Sequence, residues 1–209
     1  MVILTALQNQ LAFIEWFYTT AAQPFFTFFL ERMKGPEQQD VTPDDVREKW
    51  QKGLNVLGHS SLGLVSKAIQ DYLCHFILRE VVNKPNELKG KSTFEKYENF
   101  LLTKTKFRWE ECPIERNRIE QIHLCRNDFI HDPSIDGRQP KQDKRHFEKH
   151  PGSRFIASWE QVMVETITVG TGKKPDHQFS LRVTGDELIR VIGDAGRFCE
   201  FVDSRRTST

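Results

Sequence analysis

The feature that most constrains this 209-residue chain is a long apolar repeat that begins at Ser60 or Ser61. Its apolar positions recur three and four residues apart: Val65, Ile69, Tyr72 and Phe76. That period places the side chains on one face of a helix, which must then bury the face against another element. Similar patterns recur along the chain, so the sequence predicts a mainly α-helical bundle.

The first 30 residues contain one charged side chain, Glu15, and many aromatic residues. The apolar positions again follow a three-and-four spacing: Leu4, Leu7, Leu11, Ile14, Tyr18, Ala21, Phe25 and Phe28. Because polar residues occupy the other faces, this pattern predicts an amphipathic helix from about residue 4 to residue 22, which Pro24 kinks or restarts. We expect its apolar seam to face the core or a second copy of the chain; contact with a membrane surface is the alternative.

Several short signals predict where the other helices begin and end. Pro43 suits the first position of a helix, and Gly58 is predicted to end that helix. Two later helices are predicted to begin with capping boxes, one formed by Ser92 and Glu95 and the other by Thr184 and Glu187. We therefore divide the chain into an N-terminal helical extension, 1–58, and a helical domain, 59–209.

Two stretches between the last two helices look different. Residues 134–151 lack apolar periodicity and are predicted to form an exposed basic loop, which either contacts RNA or is simply solvated. Residues 162–169 and 179–183 alternate in polarity around glycines, which predicts a small β-hairpin over about 162–183. The basic residues considered for RNA contact are Arg138, Lys141, Lys144 and Arg145.

The overall composition gives no sign of a large charged surface, of a metal or of a cofactor. Lys plus Arg number 30 and Asp plus Glu 29, so any nucleic-acid contact must come from a local patch. The four cysteines form no C-x-x-C pair and are expected to be reduced thiols in a cytoplasmic protein. Glycine loops that bind phosphate and the H-E-x-x-H motif are absent from the sequence, and we expect neither a metal nor a cofactor.

Arg126 occupies an unusual position in the helix that precedes the basic loop. Ile119, Ile122, Arg126 and Phe129 are spaced by three, four and three residues, so Arg126 stands where a core helix usually places an apolar residue. A charge there is costly unless it is paired, solvated in a cleft or facing a partner. One interpretation is a structural salt bridge to a glutamate; the other is a site for an anion.

The residues after Arg126 favour the second interpretation. Asn127 and His131 are four residues apart and share a helix face, so Asn127 can orient His131. Pro133 follows closely, which places His131 on the last turn, where the helix dipole favours a protonated imidazole. A histidine beside a fixed cation suits phosphodiester chemistry, because the histidine can transfer protons and the cation can stabilise developing negative charge.

The string Arg126-Asn127-Asp128-Phe129-Ile130-His131 resembles the signature of the HEPN superfamily of ribonucleases and toxins. That signature is an arginine, usually followed by a polar residue, and a histidine five positions on, near the end of a bundle helix. The resemblance covers residues 60–203 and implies a HEPN-like helical bundle; residues 1–58 have no clear counterpart in it.

The resemblance implies a metal-independent endoribonuclease in which the ribose 2′-hydroxyl attacks its own phosphate. Arg126 would hold the phosphate, His131 would act as acid and base, and Asn127 would orient His131. On one helix, positions five apart project roughly 140° from each other, so the site is predicted to form across a homodimer.

The resemblance also bears on partners and on the alternative to catalysis. It suggests a bacterial toxin or antiphage protein that acts on RNA, with an antitoxin protein as a further partner. A subset of the family has a tyrosine where this chain has Pro133, so modification of that tyrosine is not expected here. Since many HEPN domains bind without cutting, a non-catalytic dimer that binds RNA or a protein is the alternative.

Overall fold

The computed structural model describes residues 2–34, 43–80, 88–131, 146, 149, 150, 153–156 and 181–206. These residues are mainly α-helical and contain no β-strand. The helices, in chain order, are α1 (Val2–Lys34), α2 (Pro43–Glu80), α3 (Thr93–Lys104), α4 (Arg116–His131) and α5 (Gly185–Ser204). A single 3₁₀ turn, Trp109–Glu111, precedes α4.

The core of the bundle lies between α1, α2, α4 and α5, and the predicted helix seams point into it. The predicted face of α2 is buried, as are Leu7, Leu11, Ile14 and Tyr18 of α1. The core positions of α2 and α5 are Val65, Ile69, Tyr72, Phe76, Leu188, Val191, Ala195, Phe198 and Val202. Helix α1 continues through Pro24, so the predicted restart at that proline does not occur. The side chains of Phe25 and Phe28 lie outside the described residues.

The predicted capping boxes are confirmed at α3 and at α5. The Ser92 hydroxyl accepts a hydrogen bond from the backbone N–H of Glu95 at 3.1 Å. The Thr184 hydroxyl accepts one from the N–H of Glu187 at 3.2 Å. Each cap satisfies a backbone donor that the first turn of a helix leaves without a partner, which is why these helices begin where the sequence predicts.

The predicted helix end at Gly58 is wrong, because α2 runs without interruption from Pro43 to Glu80. The boundary between the proposed extension and domain therefore falls inside one helix; the division itself stays a prediction. Gly58 is needed for close packing: a Cβ atom there would lie 2.3 Å from the carbonyl oxygen of Val183. The glycine lets the backbone of α2 touch the segment that leads into α5.

Replacing Gly58 with alanine is expected to lower the free energy of unfolding by about 2–4 kcal/mol, since the clash is with backbone that cannot rotate away. Gly193 of α5 is the matched control, because no atom lies within 4 Å of its added Cβ. There, alanine should stabilise the protein by about 0.5–1 kcal/mol through helix propensity. Urea unfolding measures both variants, and equal effects at the two sites would contradict this packing role.

The described part of the hairpin region shows one β-bridge instead of paired strands. Leu181 forms an antiparallel bridge with Ile156, and the N–H of Arg182 donates to the carbonyl of Phe155 at 2.7 Å. Ile156 lies before the predicted first strand, so this bridge is a pairing that the sequence did not predict. Residues 157–180, which hold the rest of the predicted hairpin, lie outside the described residues.

Asp194 of α5 ties three parts of the bundle together. Its carboxylate is almost fully buried and accepts hydrogen bonds from Arg154 at 2.8 Å and Arg197 at 2.7 Å, with Arg118 of α4 at 3.4 Å. A buried carboxylate without these cations would be strongly destabilising. The ion pairs therefore hold residues 153–156 and α4 in fixed positions against α5.

No helix within the described residues is long and apolar enough to cross a membrane. The four cysteines are free thiols, as predicted; Cys125 and Cys199 are buried and Cys74 and Cys112 are half-buried.

Candidate functional site

The helix that carries the predicted site residues packs against α2. Near its end, the ring of Phe129 stacks on the imidazole of His59, with centroids 5.0 Å apart and planes 7° apart. Two turns earlier, Nδ1 of His123 lies 2.7 Å from the hydroxyl of Ser66. Arg126 lies between these contacts, opposite Gly63. The predicted seam of α4 is therefore correct, and Arg126 belongs to it.

The side chain of Arg126 is half-buried, and its aliphatic part lies on α2. Its Cγ atom is 4.0 Å from the position that a Cβ atom on Gly63 would occupy, so the glycine leaves room for the arginine stem. The terminal Nη1 donates a hydrogen bond to Oδ1 of Asn127 at 2.9 Å. Gly63 thus leaves space for the stem of Arg126, and Asn127 accepts one hydrogen bond from its guanidinium.

Within the described part of the chain, no carboxylate pairs with Arg126. Two buried glutamates, Glu98 and Glu120, both pair with Arg116, which lies at the other end of α4. The salt bridge that would explain Arg126 as a purely structural residue is therefore not observed among these residues. Among the described residues, Arg126 is a half-buried cation whose guanidinium bonds to Asn127, and a guanidinium has five N–H donors with which it could also bind an anion.

Asn127 has a contact that the sequence did not predict. Its side-chain oxygen accepts from Arg126, so it positions the guanidinium. His131 is the last residue of α4, as predicted from the proline that follows. The side chain of His131 lies outside the described residues, and the predicted hydrogen bond between Asn127 and His131 stays a prediction. The same holds for the RNA-contact residues Arg138, Lys141, Lys144 and Arg145.

Asp128, in the middle of the motif, makes an ion pair that the sequence analysis missed. Its carboxylate is buried, and Oδ1 lies 2.6 Å from Nδ1 of His146. Glu120, eight residues earlier and also buried, accepts from Nε2 of His150 at 3.1 Å and from Lys149. The spacing of these residues could have indicated the contact, because Glu120 and Asp128 share one face of α4 and His146 and His150 are four residues apart.

These ion pairs change the interpretation of the end of the basic stretch. His146, Lys149 and His150 were assigned to an exposed loop, but they lie against two buried acids of α4. Lys149 and Arg116 hold the pKa of the Glu120 carboxyl below its usual value, although burial acts in the opposite direction. This end of the segment is anchored to α4 by charge pairing, and 149 and 150 are part of the bundle.

Two histidines on the α2–α4 contact are kept neutral by their surroundings. Nε2 of His59 donates to the carbonyl of Leu181 at 3.2 Å, and burial lowers the pKa of this imidazole to about 4. Burial, together with the positive charge of Arg126, lowers the pKa of His123 to about 4. Neither histidine is protonated near neutral pH, so neither can serve as the general acid.

Among the described residues, no group of three histidine, cysteine, aspartate or glutamate side chains is arranged to hold a metal ion. Searches against protein-family models, curated proteins and solved structures found no match for this chain. The described residues define a helical bundle in which Arg126, near the end of α4, bonds to Asn127 and to no described carboxylate.

Proposed function

We propose that this protein is a metal-independent endoribonuclease whose active site forms across a homodimer. The observation that carries the proposal is Arg126: a half-buried residue whose guanidinium donates to Asn127 and has no carboxylate partner among the described residues. A cation in this position is costly to maintain unless it binds an anion. The phosphodiester of RNA is the anion that the resemblance to HEPN ribonucleases suggests.

In the proposed reaction, Arg126 binds a non-bridging phosphate oxygen and stabilises the charge that develops on the pentacoordinate phosphorus. Asn127 keeps the guanidinium oriented. One His131 removes the proton of the ribose 2′-hydroxyl, whose oxygen attacks the adjacent phosphorus. The bond to the 5′-oxygen breaks, and the same His131, now protonated, gives that oxygen a proton. The products are a 2′,3′-cyclic phosphate and a 5′-hydroxyl.

The test is cleavage of a defined RNA by the purified chain in EDTA, followed by end-group analysis. We expect cyclic phosphate and 5′-hydroxyl ends, and a rate about 100-fold to 1,000-fold lower for Arg126→Ala, since one charge-stabilising donor is lost. Arg190→Ala is the control, because Arg190 is an exposed arginine on a different helix, α5. Cleavage that needs a divalent metal, or that survives His131→Ala, would rule the proposal out.

A second function is favoured by a different observation. Large apolar side chains, Phe13, Trp16 and Leu64, are exposed on α1 and α2. Exposed aromatic clusters are typical of protein-binding surfaces. The alternative is thus a dimer that binds RNA or a protein without cutting. Tight RNA binding that depends on Arg126, without cleavage, would favour it.

A further inference from the structure

A groove lies between α1 and α2 on the described surface. It has a volume of about 340 Å³ and combines apolar walls with a polar rim. Phe13 and Leu64 line it and are 56% and 43% exposed. Its remaining lining residues are Asn9, Gln10, Ile14, Lys67, Ala68 and Asp71.

Next to the groove, α1 carries an aromatic side chain that is more exposed than buried. Trp16 is 58% exposed, and its ring lies 5.7 Å from that of Phe13, one turn earlier. A tryptophan this exposed is unusual, because burying its surface is favourable and tryptophan is enriched in the centres of interfaces. The same helix therefore carries both a cavity and a large side chain able to fill one.

The spacing of these two features selects the partner. The groove residues of α1, 9 to 14, are centred about 7 Å along the helix axis from Trp16. If a two-fold axis passes beside Phe13, each Trp16 lies over the groove of the other copy. One two-fold rotation thus fills both grooves and buries both tryptophans, as in an isologous dimer interface.

The charges on this face agree with pairing to an identical surface. Two copies of one charged patch repel each other, whereas a neutral patch does not. The first 30 residues contain only Glu15 as a charged side chain, and on α2 the rim residue Lys67 is already paired with Asp71. Depletion of charge with enrichment of aromatic residues is the composition of an interface centre.

We infer that a second copy of this chain docks on the α1–α2 groove, with Trp16 of each protomer in the groove of its partner. The same turn of α2 contributes to both places, since Gly63 lies beside Arg126 and Leu64 lines the groove, on faces of the helix about 100° apart. Only the relation of this pairing face to the active site rests on the proposed function. The inference gives a role in dimerisation to α1, which belongs to the segment 1–58 that has no clear counterpart in HEPN proteins.

The test is the mass of the full-length protein by sedimentation equilibrium. We expect a dimer for the wild type and at least tenfold weaker association for Trp16→Ala, the usual effect of removing a central tryptophan. Leu64→Glu, on the groove wall, should have the same effect. Ile189→Ala is the control, because Ile189 of α5 is 46% exposed on a different element. Circular dichroism checks that each variant is folded.

The outcomes separate the inference from the proposed function. A monomeric wild type, a dimer insensitive to both groove variants, or equal weakening by Ile189→Ala would overturn the inference. So would a monomer that floats with phosphatidylcholine vesicles, which would make this a membrane-binding face. A dimer that depends on Trp16 but shows no RNA cleavage would support the inference and reject the nuclease. EDTA-resistant cleavage by a dimer that is insensitive to Trp16→Ala and Leu64→Glu would do the reverse.

Discussion

Co-expression of Arg126→Ala and His131→Ala chains is expected to restore about a quarter of the wild-type RNA cleavage, although each variant alone is inactive. In a mixed dimer, the arginine of one chain meets the histidine of the other at one of the two sites. The second site has lost both groups. Random assembly makes half of the dimers mixed, and each of these has one working site.

The same experiment has a built-in contrast. If Arg126 and His131 act within one chain, no dimer in the mixture holds a complete site, and the mixture should be as inactive as its components. Mixing Arg126→Ala with Asn127→Ala is the control, because both side chains lie in the same half-site and are joined by a hydrogen bond. Neither chain of that mixture keeps both Arg126 and Asn127, so no dimer has an intact half-site and the activity should stay low.

Acidification from pH 7 to pH 5.5 is expected to lower the free energy of unfolding by about 2–3 kcal/mol through two histidines. His59 and His123 have pKa values near 4 in the folded protein, against 6.5 in the unfolded chain. Between these values the unfolded chain binds more protons, so stability falls as the pH falls. Each histidine contributes up to about 1.4 kcal/mol per pH unit.

Urea unfolding at several pH values measures this effect. His59→Gln and His123→Gln remove the titrating groups, and each should reduce the slope of stability against pH between 6.5 and 4.5. Comparing slopes, and not absolute stabilities, separates titration from lost packing against Phe129 and Phe94. An unchanged slope in the double variant would mean that other groups cause the acid sensitivity.

The helices could largely be predicted because their signals are local. A side chain that recurs every three or four residues faces one side of a helix whatever it packs against, and the seams of α1, α2 and α5 are buried as expected. Caps are equally local, since Ser92 and Thr184 bond to backbone three residues away. Gly58 was misread because its reason is not local: Val183, 125 positions later in the chain, approaches it.

In the candidate site, too, some features follow from local spacing and others depend on contacts between distant parts of the chain. The position of Arg126 in the seam followed from spacing, and so did the position of His131 at the end of α4. The approach of Gly63 to Arg126 did not, because nothing in the sequence tells which face of α2 meets α4. For Asp128, the sequence showed a charge next to the motif, but only the fold places His146 beside it.

The sequence by itself determined which segments are helical, which faces of them are apolar and that Arg126 interrupts one of those faces. These properties depend on the 3.6-residue period and on hydrogen bonds within a single turn. The tertiary structure decided which partner each polar side chain finds. It pairs the acids Glu98, Glu120, Asp128 and Asp194 with cations or histidines, and among the described residues it leaves Arg126 without a carboxylate. Such pairing depends on the packing of elements distant in the chain, which the sequence pattern does not encode locally.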